Sequence, residues 1–327
     1  MTTLENLTVT EQHTDHLRPF DAYRDLEAVA NLVELCFADS LDPDGKNFIQ
    51  RMRILARNRG VLKWTNLNAD WAEMPFSGFV WDEDDFLAGN ISLIPFHDKG
   101  KRGFLIANVA VHPDFRRKGV ARALTLKSIE HARKKGAPGV WLHVREGNLQ
   151  AEDLYKSLGF GERARRKTWL SQTKPDRQKI NFKGELRRIS NHHWKTVQNW
   201  IALNYPSELT WHLKLDHFSL RHGLWGSLYR LLNSANVQQW GSFDDSHLNA
   251  ALIWQASSTY ADTLWLAAPE KVDDQYVQAL LTHIGIQSSR TRPLRLDYPS
   301  GQAEKGIRAA GFVDQQTLIW MYLPITS

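Results

Sequence analysis

"HPDFRRKGVARALTLKSIEHA", His112–Ala132, puts three consecutive cations and a glycine at the mouth of an apolar-periodic segment. The periodicity predicts a helix that runs to about Lys135, where "GAPG" ends it. The free N–H groups of a helix start already make it positive, so acidic side chains are the ordinary choice there. Arg116, Arg117 and Lys118 are the opposite choice and cost stability unless an anion joins them. Directly upstream, "GFLIANVAV" (Gly103–Val111) reads as a strongly apolar strand closed by His112-Pro113. A strand, a basic glycine turn and a long helix in that order can hold a phosphate or pyrophosphate on unpaired N–H groups. Gly119 lets the backbone come close where a Cβ would collide, and Ala121 is small to the same end. Read alone, the turn also fits a solvated helix start; its place after an apolar strand favours the anion.

Working outward, "HLRPF" reads as a first strand and "DLEAVANLVELCFA" as a helix opened by Asp25. Further helix surrounds "KNFIQRMRILARN", and "FSGFVWDEDDFLAGNISLIPF" is a hairpin around an acidic turn. Beyond the helix after Gly119 come "VWLHV" as a strand, "NLQAEDLYKSLG" as a short helix and "RARRKTWLSQ" as a last strand. These elements make a mixed α/β domain over residues 1–172. The polar, proline-containing "SQTKPDRQK", Ser171–Lys179, marks a linker, and a second domain fills residues 173–327. That domain restarts with strand "GELRRIS" and helix "NHHWKTVQNWIALN", and strand-like "VQQWGSF", "LNAALIWQ", "DTLWLAAP" and "RPLRLDYP" follow.

The order of elements repeats, and the sequence repeats with it. Gly139–Phe160 aligns without a gap on Thr291–Phe312: Leu142 meets Leu294, Gln150-Ala151-Glu152 meets Gln302-Ala303-Glu304, and Gly159-Phe160 meets Gly311-Phe312. Upstream, Pro113 and Ala123-Leu124 meet Pro269 and Ala279-Leu280. A diverged duplication accounts for both kinds of match. The second copy has changed at the decisive places. Asp273 and Asp274 stand where Arg117 and Lys118 stand in the first, no glycine is present, and Ser300 and Ile307 replace Asn148 and Tyr155. Two carboxylates suit a bare helix start and repel a pyrophosphate.

"VAVHPDFRRKGVARAL" resembles motif A of the GNAT superfamily of acyl-CoA N-acyltransferases, with Arg116, Gly119 and Ala121 in its signature positions. "LHVREGNLQAEDLYKSLGF" resembles motif B of the same superfamily, with Leu142, Val144, Arg145, Asn148, Ala151, Leu154, Tyr155, Leu158, Gly159 and Phe160 in register. The resemblance implies two GNAT-like domains in tandem, each a mixed, mostly antiparallel sheet flanked by helices, the second degenerate. It implies acetyl-CoA as cosubstrate and direct transfer of an acetyl or short acyl group to a primary amine in a ternary complex. The amine would belong to a small molecule or a peptide N-terminus.

The same resemblance implies roles for particular residues. Backbone amides of Arg117, Lys118, Gly119, Val120, Ala121 and Arg122, behind the motif's Arg116, would cradle the pyrophosphate of coenzyme A. Val109, Ala110 and Val111 would run beside the pantetheine arm, Val109 and Val111 pairing with it as a strand edge where the fourth and fifth strands splay. Asn148 would touch the arm through its side-chain amide. Tyr155 would be the general acid that protonates the leaving thiolate, an ordinary phenol being matched to that task. For the base, the family often has Glu where this chain has His143. His143 has a suitable intrinsic pKa, and Glu146, Asp82 and a bare water stay open beside it.

Composition bounds the remainder. The chain has 327 residues and a net charge of +5, which permits an anionic partner without choosing one. No apolar run is long enough for a membrane span, and the N-terminal stretch lacks the form of a secretory signal, so a cytoplasmic protein without membrane partners is expected. The single cysteine, Cys36, excludes an internal disulfide and a zinc cluster, and its helical apolar setting reads as a buried structural thiol. His192-His193 has no companion at metal-ligand spacing, so no metal is expected. The basic runs, "RARRK" among them, read as solvated faces without a nucleic-acid recognition motif. A monomer or homodimer is expected, and a non-catalytic acyl-CoA sensor is the alternative to an enzyme.

Overall fold

The computed structural model describes residues 15–58, 77–98, 100–172, 182–210, 237–257, 259–287 and 292–325. The chain forms two compact units, Met1–Arg163 with Trp320–Ser327, and Ala164–Ile319. The polar stretch read as a linker lies outside the described residues from position 173 to 181.

In the first unit, β1 (Leu17–Pro19), β2 (Gly78–Glu83), β3 (Phe86–Asp98) and β4 (Lys101–Val111) are consecutive antiparallel neighbours. β5 (Gly139–Arg145) runs parallel to β4. The acidic turn between β2 and β3 is two residues, Asp84 and Asp85, both at positive φ (51° and 65°), as a tight hairpin demands. Helices α1 (Ala22–Phe37), α2 (Pro43–Arg57), α3 (Val120–Lys134) and α4 (Leu149–Ser157) belong to this unit. α1 and α2 bury Leu26, Val29, Ile49 and Met52 in one core with Val80 and Ala110 of the sheet. α3 lies close against β3 because Gly89 has no side chain there: a Cβ would stand 2.8 Å from Val120.

α1 starts earlier than its sequence suggests. Asp21 is the cap, its carboxylate accepting from the Tyr23 N–H at 2.8 Å. Asp25 is buried inside the first turn, 2 % exposed, and is held bidentately by Arg18 at 2.7 and 2.8 Å. Its Oδ2 also accepts from the Asp21 N–H at 2.8 Å, so the carboxylate serves the helix start and an ion pair together.

The second unit repeats the plan. β6 (Gly161–Ser171) enters it from Ala164 onward. β7 (Glu185–Arg188), β8 (Val237–Asp244), β9 (His247–Gln255) and β10 (Asp262–Ala267) are antiparallel neighbours, and β11 (Leu294–Pro299) runs parallel to β10. β6 lies antiparallel on the far side of β11. Helices α5 (Trp194–Asn204), α6 (Asp274–Gln287) and α7 (Glu304–Ala309) complete it. Each unit is thus a mixed, mostly antiparallel sheet with helices, as the sequence implies. "RARRK" corrects one expectation. Arg166 is 3 % exposed, paired with Asp297, and donates to the Asn204 carbonyl at 2.8 Å.

The last strand, β12 (Phe312–Pro324), is absent from the sequence reading. Its first residues belong to the second unit and its last, from Trp320, to the first. There Trp141 of β5 packs on Trp320 and Tyr322, with ring centroids 6.4 and 4.8 Å away. The Tyr322 hydroxyl and the Ile325 N–H both donate to the Pro138 carbonyl at 3.0 Å.

Candidate active site

β4 and β5 stay paired only from Phe104↔Val140 to Ile106↔Leu142. Immediately beyond, β4 carries a bulge: Ser92 faces Ala107 and Asn90 faces Ala110, which leaves Asn108 and Val109 opposite Ile91 alone. An extra residue on one strand bends it and ends regular pairing. The strands diverge past this point, and a cavity of about 440 Å³ opens between the end of β4, the start of α3 and α4. Its wall includes Val109, Ala110 and Val111 from the diverging edge and Arg116, Arg117, Gly119, Val120, Ala121 and Arg122 from the helix mouth. Asn148, Leu154 and Tyr155 close the α4 side.

The helix mouth has neither a capping side chain nor an acid. Gly119 is the N-cap residue of α3 at φ 82°, and no side chain accepts from the first N–H groups. The first turn has no acidic residue. Arg117 also takes positive φ (64°), so the backbone curls around the turn's N–H groups. The cations do not act alike. Arg116 folds back and donates from Nε to the Val111 carbonyl at 3.2 Å. Lys118 lies over the Phe115 ring, 4.8 Å from its centre, and is not in the cavity wall. Arg122 reaches α4, donating to Ser157 Oγ at 3.2 Å.

Asn148 caps α4, its Oδ1 accepting from the Ala151 N–H at 3.3 Å, which leaves the Nδ2 group for a ligand. Tyr155 is 6 % exposed, sits edge-on to Phe160 (5.9 Å) and still lines the cavity. Burial pushes its phenol up to about 12. His143 is on the same strand as Leu142 but outside the cavity wall, its ring 5.2 Å from Trp320. Asp82 is taken by Arg18 and Arg24, both at 2.7 Å, and Glu146 is exposed outside the wall. Cys36 departs from its expected place. It is half-buried, donates from Sγ to the Val111 carbonyl at 3.3 Å and lines the cavity. Cys36 and Phe37 are wall residues that periodicity could not find, because only the fold brings the end of α1 to the end of β4.

The matching place in the second unit is filled from within. Asp273 accepts from the Gln275 N–H at 3.1 Å, capping α6. Asp274 accepts from the Gly306 N–H at 2.9 Å, so α7 docks on the helix start. β10 and β11 also part after Leu264↔Leu296, yet the N–H groups beyond are taken. Leu266 donates to the Tyr205 hydroxyl at 3.1 Å and Ala268 to Asn204 Oδ1 at 2.9 Å. The β9–β10 register runs without a bulge. Tyr205, wholly enclosed, has its phenol pushed far up by burial.

The repeated fold is that of an acetyltransferase domain, its helix mouth open in the first copy and closed in the second. The chain belongs to the GNAT acetyltransferase family: the profile of the Acetyltransferase (GNAT) family matches residues 48–160. The ribosomal protein bS18-alanine N-acetyltransferase of Salmonella typhimurium is 32% identical over 124 residues, 33% of this chain and 84% of that protein. Its Escherichia coli (strain K12) counterpart is 42% identical over 66 residues, 20% of this chain and 45% of that protein. The match thus spans less than half the length of that relative. A GCN5-related N-acetyltransferase from Sphaerobacter thermophilus shares the fold at TM-score 0.56 and 14% identity, covering 96% of this chain and 97% of that one. Among the described residues no group of three His, Cys, Asp or Glu is placed to hold a metal ion, and no helix is long and apolar enough to cross a membrane.

Proposed function

We propose that the protein is an N-acetyltransferase whose acetyl-CoA site is the cavity of the first unit, and that it acetylates a primary amine of a small molecule or peptide by direct transfer. The observation that carries this reading is the uncapped, acid-free helix mouth at Gly119, continuous with the diverging edge Val109–Val111. The cavity suits the cosubstrate's parts: N–H groups and cations for the diphosphate, a strand edge no longer paired with β5 for the amide-bearing arm, an apolar end for the thioester.

Bound acetyl-CoA supplies an acyl carbon activated by a thiolate leaving group. Backbone N–H groups of residues 117–122 hold the diphosphate without a side-chain competitor. Val109 and Val111 orient the arm, and Asn148 adds a side-chain amide. Tyr155 gives its hydroxyl proton to the departing sulfur as the new C–N bond forms and the C–S bond breaks. The dry wall that raises the phenol also raises the proton affinity of a thiolate beside it, so the two remain matched. Any part His143 takes in removing the amine proton runs through water, because its ring is outside the wall.

The second unit, Ala164–Ile319, acts without a cofactor of its own. Its strand edge and helix mouth are occupied by Tyr205, Asn204, Asp273 and Asp274. The test is release of free thiol from acetyl-CoA across a panel of primary amines. An acetyltransferase releases thiol with at least one amine, and Tyr155→Phe suppresses it. A protein that binds acetyl-CoA and releases none with any amine is a sensor instead.

A further inference from the structure

The bulge in β4 is held from outside its own strand. Asn108 takes φ 50°, a left-handed conformation that a strand residue holds only where its surroundings maintain it. Two side chains of β3 do so. Asn90 Nδ2 donates to the Asn108 carbonyl at 3.0 Å, and Asn108 Nδ2 donates to Ser92 Oγ at 3.4 Å. Asn90 and Ser92 are 1 % and 3 % exposed, so water cannot easily take over these bonds. Neither residue is in the cavity wall. With the Asn108 carbonyl committed to β3, Asn108 and Val109 stand out of the β3 register, which resumes at Asn90↔Ala110. β10, which has no such bulge, keeps its register with β9 throughout.

We propose that Asn90, with Ser92 as second support, is a positioning residue for the acyl-CoA arm. It fixes the bulge that presents the Val109–Val111 edge, and it acts only through that edge. This role rests on the acetyl-CoA reading above. Replacing the donor lets Asn108 relax toward extended backbone and shifts Val109 back toward regular pairing with β3, which re-aims the edge. The phosphate seat at Gly119 is a separate element and is left intact.

The experiment is calorimetric titration of the full chain at neutral pH with two ligands. One is acetyl-CoA; the other is 3′-phosphoadenosine 5′-diphosphate, which carries the phosphates without the arm. Asn90→Asp keeps the shape and replaces the donor with a carboxylate that repels the Asn108 carbonyl, Ser92→Val removes the acceptor, and Ser92→Thr restores it. The expected result is an acetyl-CoA Kd raised about tenfold or more in Asn90→Asp and Ser92→Val. Ser92→Thr returns to wild type, and the diphosphate Kd stays within about twofold throughout. If Asn90→Asp binds acetyl-CoA as wild type does, or if both ligands weaken together, the positioning role is overturned. Should Asn90→Asp fail to fold, the Ser92 pair decides by the same criteria. Wild-type protein that binds no acetyl-CoA overturns the functional reading and this role with it, whereas wild-type binding with indifferent variants overturns this role alone.

Discussion

Tyr155 is a phenol pressed into an apolar wall, and its chemistry changes because it loses water. Its folded pKa is pushed up to about 12, against about 10 in an unfolded chain. The folded state therefore holds this proton more tightly. The stability that goes with it is complete below about pH 10 and is lost as the pH rises through about 12. Urea unfolding followed from neutral pH to about pH 12 should show a falling midpoint in wild type. Tyr155→Phe should lose less over the same window, and an identical fall in both proteins would contradict the burial argument. In catalysis the same substitution should lower kcat by about 10²–10⁴-fold with little change in the KM for acetyl-CoA. Gly119 is constrained in another way. At φ 82° a Cβ costs about 1–2 kcal/mol, so Gly119→Val should weaken acetyl-CoA binding and lower the urea midpoint together. The sequence showed both residues, because each belongs to a local pattern. It did not show Cys36 in the wall or the αL geometry of Asn108. The first depends on α1 meeting β4, and the second on bonds from a strand some sixteen residues away in sequence, at Asn90 and Ser92.

At the scale of elements, what was legible follows how local the cause is. α3, β4, β5 and α4 were readable because periodicity, a proline stop and glycine turns lie within each segment. α1 starts upstream of Asp25 because Asp21 is the cap, while Asp25 answers to Arg18 as well as to the Asp21 N–H. β12 was missed for a related reason. "FVDQQTLIWMYLP" has its partners far back in the chain, and its end finishes the first unit against Pro138 and Trp141. A chain ending at Ile319 would leave β5 without these contacts and expose its edge. Such a truncation should abolish acetyl-CoA binding and aggregate on purification, although every residue of the cavity wall is retained. A truncated chain that binds normally would show that β12 is dispensable to the first unit. For the same reason residues 1–172 alone are a poor test of the site.

For the whole molecule, one plan is used twice and left open once. Both units run three antiparallel strand pairs into a parallel fourth, and both separate that last pair three residues along. The first unit then adds a bulge and a bare helix mouth. The second adds two carboxylates, α7 and the Asn204-Tyr205 corner. The acid–base contrast at the two helix mouths was readable in the sequence. The filling of the second strand edge was not, since nothing in "NWIALNY" announces that its end inserts beside β10. The account stands or falls on how many acetyl-CoA molecules one full-length chain takes up. Isothermal titration of the intact protein should give a single site per chain, lost when Arg117 and Lys118 are both replaced by glutamate. Two sites per chain, none, or binding indifferent to that reversal of charge would contradict it.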